Sequence, residues 1–197
     1  MAPGPRAWLA LAALLAVIAS ALQGVPRMLL DWQPALAQSQ PWRALSAVGV
    51  HYSARHLVVN LLGLALVALL GARARVPLPF VWAWAAAWPL TQAGLALRPD
   101  LAHYGGLSGV LHAGVAIVAV HLLAGPAGRP RQIGAGLLLV LSAKVASEAP
   151  WGAALRHPAG WDIAIAPLAH ATGLVAGVVC GVVAAVWSSR RSARADA

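Results

Sequence analysis

Apolar residues in this chain neither alternate nor mark one face of a helix; they run on in blocks, separated by short clusters rich in Arg, Pro and Gly. A helix needs about 20 mainly apolar residues to cross a hydrocarbon core of roughly 30 Å. Six blocks approach that length, at residues 7–23, 56–70, 80–97, 108–124, 133–148 and 163–187. Between them lie residues 24–55, then GARARVPLP, RPDLAHYGG, GPAGRPRQ and APWGAALRHPAGWD, and only the first connection is long. The pattern predicts an all-α membrane protein, a bundle of six transmembrane helices forming a single domain over residues 1–197.

Composition sharpens this, since 60% of the residues are hydrophobic and 10% charged, far from a soluble average. On such a chain the formal net charge of +9 signals topology rather than a nucleic-acid surface, because Lys and Arg collect on the cytoplasmic side. With the N-terminus inside, eight arginines fall inside (Arg6, Arg73, Arg75, Arg129, Arg131, Arg190, Arg191, Arg194) and five outside (Arg27, Arg43, Arg55, Arg98, Arg156). Asp31, Asp100, Glu148 and Asp162 fall on or near the outer side. The first block also has the layout of a signal peptide, with Arg6, an apolar stretch and small residues at Ala19, Ser20 and Ala21; a retained helix keeps six spans and agrees with the arginine tail. The single cysteine, Cys180, can form no internal disulfide and reads as core.

Polar side chains inside a span are costly and need a partner or a purpose. They are His56 and Asn60 in the second span, Ser108, His112 and His121 in the fourth, Lys144 and Glu148 in the fifth, and His170 and Thr172 in the sixth. The second, fourth and sixth spans all run from outside to inside. His56, Ser108 and His170, each early in its span, therefore share a depth, and a polar cluster open to the outer side is expected.

The stretch GGLSGVLHAG concentrates small and polar residues at one span's beginning. Gly105, Gly106 and Gly109 let the backbone bend and approach closely there, although small residues also serve helix packing. A helix N-terminus offers free N–H groups to a developing negative charge, but a serine needs a base to become a nucleophile. His170, in AHATGLVAG, is the candidate, because Gly173 and Gly177 at i+3 and i+7 open its helix face to a neighbour. His56 and Asn60, at i and i+4, share a face and read either as donors to an oxyanion or as an interhelical clamp.

These residues carry a resemblance. HYSARHLVVN, the Trp42-Arg43 pair, GLSG and AHATGLVAG occur in the order found in rhomboid intramembrane serine proteases, and the chain resembles that family over nearly its whole length. His51, His56 and Asn60 reproduce its His-x4-His-x3-Asn pattern, Ser108 its Gly-x-Ser-Gly, and His170, Gly173 and Gly177 its His-x2-Gly-x3-Gly. The resemblance implies a rhomboid-like bundle with a Ser108–His170 catalytic dyad lacking a third, acidic member. It also implies oxyanion and substrate binding by His56, Asn60, Gly106, Leu107 and the Ser108 amide.

His112 stands where many rhomboids place an aromatic ring against the catalytic histidine, and reads either as a flat packing surface or as a group that hydrogen-bonds the base or carries charge. SGVLH, the small size, and Lys144 with Glu148 look most like rhombosortases, a subgroup associated with GlyGly-CTERM substrates: a Gly-Gly motif, a hydrophobic helix and a basic tail. Lys144 and Glu148 form a possible i,i+4 pair, read either as mutual neutralisation or as substrate recognition. The resemblance implies a multi-pass protein of a bacterial inner membrane, its site open to the periplasm, acting on membrane-anchored proteins within the lipid bilayer. Neither cofactor, metal nor nucleic acid is expected. Two other readings are a haem- or metal-binding bundle, for which only His51/His56 and His103/His112 pair closely, and a catalytically inactive rhomboid relative that binds transmembrane helices.

Overall fold

The computed structural model describes residues 3–195, with side chains to residue 191, so Arg194 of the inner arginine set lies outside the described side chains. Six helices of sixteen residues or more order the chain: α1 (Pro3–Ala21), α2 (Ala54–Arg73), α3 (Leu78–Ala93), α4 (Ser108–Ala124), α5 (Arg129–Ser147) and α6 (Pro167–Ala195). Pro3–Gly24, Ala54–Arg73 and Pro167–Arg191 are long and apolar enough to cross a membrane. Among the described residues the only strand-like pairings are two isolated bridges.

The helix ends depart from the apolar blocks for local reasons. α2 starts two residues early because the Ser53 hydroxyl accepts the His56 N–H at 3.0 Å, capping the helix. α3 stops at Ala93 and continues as a 3₁₀ turn over Gly94–Leu97. α5 begins at Arg129 rather than 133, since proline in the first turn suits a helix start. Residues 163–166 are not helical: Ile165 pairs with Arg156 through backbone bonds of 2.8 and 2.9 Å, and Pro167 then opens α6. α6 runs past residue 187 into the arginine tail, whose solvated charges do not stop a helix.

α4 sits at the centre, buried on nearly every face from Gly109 to Val120, as a helix apolar all round must be. α6 packs along it and α3, whereas α5 leans mainly on α4 and touches α6 little. The α4–α6 seam is made of missing side chains. A Cβ on Gly173 would overlap the Gly109 carbonyl oxygen, and one on Gly177 would come within 2.5 Å of the Ala113 oxygen. On the other side Trp8 stacks on Trp84 with centroids 4.2 Å apart, and their indole N–H groups donate to the Val67 and Val110 carbonyls.

Residues 24–55 fold around a buried ion pair. Arg43 donates from Nη1 to the Asp31 carbonyl at 2.8 Å and its carboxylate at 3.2 Å, and from Nε to Gln40 at 2.6 Å. Trp32 and Tyr104 exchange backbone bonds of 2.7 and 2.8 Å, fastening this connection to the loop that precedes Ser108.

The seam generates a prediction. Gly173→Ala forces α4 and α6 apart and destabilises the protein by about 1–3 kcal/mol, read as a lowered thermal midpoint in detergent. Gly136→Ala on α5, where a Cβ meets nothing within 4 Å, leaves the midpoint unchanged or raised.

Candidate active site

The side chains singled out in the sequence arrive from four helices. The Ser53 cap fixes the start of α2, so His56 and Asn60 point inward from its first two turns, both buried. The Tyr52 N–H approaches His56 Nδ1 at 3.4 Å, which leaves Nε2–H as the ring's donor. That nitrogen faces Gly106, where a Cβ would lie 2.9 Å from it and 4.0 Å from Asn60 Nδ2. Asn60 also donates to the His56 carbonyl at 2.9 Å. His51, in the turn before α2, packs against the His56 ring with centroids 4.8 Å apart, and burial pushes its imidazole down to about 4, so it stands there uncharged.

Ser108 is the first residue of α4, where the leading N–H groups have no intrahelical acceptor. The loop before it is pressed flat: Gly106 takes φ 129°, open in practice to glycine alone, and a Cβ on Gly105 would lie 2.6 Å from Val50. Gly106 and Leu107 immediately precede Ser108. The Gly106 N–H donates to the Ala47 carbonyl at 2.9 Å, and the Leu107 side chain is fully buried in the core.

His170, in the first turn of α6, reaches Ser108 Oγ with Nε2 at 2.9 Å. An imidazole nitrogen there can accept the hydroxyl proton. The His112 ring stacks on the His170 ring at 4.3 Å and 12°, and it is also bonded at both nitrogens, Nδ1 to the Ser108 carbonyl at 2.6 Å and Nε2 to Lys144 Nζ at 2.7 Å. The ring stacks on His170, and its hydrogen bonds go to other groups than that histidine.

No acid was expected beside His170, yet one lies there. The His170 Nδ1 lies 2.5 Å from Glu148 Oε2. The other carboxylate oxygen holds Lys144 Nζ at 2.9 Å, so the i,i+4 pair exists but engages both histidines as well. Glu148 reaches inward from the end of α5, where Ala149 at φ 50° turns the chain away in the left-handed position usual after a helix. Asp31 and Tyr104 were missed as supports of the site, because the contacts that define them cross between segments distant in sequence.

Ser108, His170, His56, Asn60, Lys144 and Glu148 border one cavity of about 690 Å³ between α2 and α5, under residues 155–166. A hydroxyl–imidazole pair thus faces a cavity inside an apolar helical bundle. The family model of the Rhomboid domain matches residues 38–187, from the first connection to the end of the last apolar block, and the chain belongs to the rhomboid family. It is accordingly a multi-pass membrane protein. No curated protein gives a significant match to the sequence.

His112 can be dissected. His112→Phe keeps a ring on His170 and removes both hydrogen bonds, whereas His112→Ala removes the stack too, worth about 0.5–1.5 kcal/mol. The expected order of fluorophosphonate labelling rates at Ser108 is wild type, then Phe, then Ala up to about tenfold slower than Phe; equal rates for the two variants would deny the stack any role.

Proposed function

We propose that the chain is an active intramembrane serine protease of the rhombosortase type, with Ser108 as nucleophile and His170 as its base. The observation that carries this is the 2.9 Å contact between Ser108 Oγ and His170 Nε2 at the wall of the cavity. Nε2 takes the hydroxyl proton as Oγ attacks the scissile carbonyl. His56 Nε2–H, Asn60 and the Ser108 amide stabilise the oxyanion. His170 then gives its proton to the leaving amine, and water or an amine acceptor attacks the acyl-serine ester with His170 again as base.

In this reading all six helices cross the bilayer. α3 with its 3₁₀ extension reaches Leu97, and α4, with 17 residues, is short but enclosed by its neighbours. The excess of arginine on one side supports an inner-membrane protein with its cavity open to the periplasm. SGVLH and the Lys144–Glu148 pair support substrates of the GlyGly-CTERM kind, cut near a Gly-Gly motif that precedes a membrane helix.

Ser108→Ala and His170→Ala each abolish cleavage of a membrane-anchored Gly-Gly substrate without loss of membrane insertion, and the double variant is no worse than either, because the two groups act as a unit. Wild-type protein that neither cleaves nor takes a fluorophosphonate would instead be an inactive, helix-binding relative. Asn60→Ala lowers kcat by about 10²–10³ and stays measurable; unchanged turnover would make Asn60 a helix clamp.

A further inference from the structure

We infer that Glu148 is a positioning residue for His170, completing a Ser108–His170–Glu148 triad; this rests on the proposed protease reading and extends it. For the Ser108 hydroxyl to donate to Nε2, the imidazole must carry its proton on Nδ1. Glu148 Oε2 lies 2.5 Å from Nδ1, and an ionised carboxylate only accepts, so it holds the ring in that tautomer and fixes its plane. When Nε2 takes the serine proton, the carboxylate also faces the imidazolium that forms, as an acid does in triads of other folds.

The surroundings make the carboxylate necessary rather than incidental. Four charged or titratable groups lie around His170 itself: His56 from α2, His112 stacked from α4, and Lys144 and Glu148 from α5. Lys144 Nζ stands 3.2 Å from Nδ1. A lone ammonium there would repel an imidazolium, and Glu148 is the only anion among these groups. Lys144 instead donates to Glu148 Oε1 at 2.9 Å and to His112 Nε2 at 2.7 Å. His112 then donates from Nδ1 to the Ser108 carbonyl at 2.6 Å. One tautomer of each ring fits these contacts, and the carboxylate has one oxygen on each partner.

The test uses full-length protein in detergent or liposomes. Glu148→Gln presents an amide that can donate to Nδ1 and select the wrong tautomer; it is expected to lower kcat by about 10²–10⁴ with KM within about threefold of wild type. Glu148→Asp, which keeps the charge on a shorter arm, recovers part of the loss. Lys144→Met breaks the ion pair but leaves the carboxylate on Nδ1, and loses less than Glu148→Gln. The short Nδ1–H···O bond also gives a far-downfield proton resonance, present in wild type and Ser108→Ala and absent in Glu148→Gln, which reports the contact without activity. Glu148→Gln with kcat within about threefold of wild type, or Lys144→Met as damaging as Glu148→Gln, would overturn the triad and leave the protease reading standing. Wild-type protein without Ser108-dependent cleavage or labelling would remove the protease reading itself.

Discussion

With Gly173 set against the Gly109 carbonyl, α4 and α6 lie closer than any side chain at that level would allow, and this approach brings a hydroxyl in the first turn of one helix to an imidazole in the first turn of the other. Burial reinforces it: α4 is enclosed on nearly all sides, so the helix bearing Ser108 has little freedom to shift. In lipid there is no hydrophobic force to press helices together, and close backbone packing takes its place. The small residues of the seam are thus a condition for the chemistry as much as for the fold.

A second layer holds the entrance to α4 in place. The Asp31–Arg43 pair is almost wholly buried, with 2% and 5% exposure, a setting in which losing one partner typically costs about 3–5 kcal/mol. Through the Trp32–Tyr104 pairing it steadies the loop whose Gly106 conformation sets up the first turn of α4. His103 adds a contact from that loop, its Nδ1 2.7 Å from Asp31 Oδ2. The site is therefore supported from outside the bundle by a connection whose sequence has no helical period to announce it.

The apolar blocks anticipated where long helices lie because a chain in lipid must satisfy its backbone within each segment; they missed the ends because caps and prolines, not hydropathy, decide those. Ser108, His170 and the glycines stood out because a polar or missing side chain in an apolar run demands a reason. Glu148 was visible only as the partner of Lys144 at i,i+4. Which way its second oxygen points depends on how α5 is rotated against α4 and on the turn at Ala149, and neither leaves a mark in a one-dimensional pattern. Gly106 was read for its backbone freedom, rightly in kind, but its N–H is committed to Ala47, a partner 59 residues away.

α5 buries few of its own side chains and lies loosely beside α6. Its ties across its C-terminal end are polar: Lys144 to His112, and Glu148 to His170. Ser108 and His170 stand on α4 and α6, while Lys144 and Glu148 stand on or just past α5. How α5 is seated against α4 therefore decides where both charges lie relative to the hydroxyl–imidazole pair.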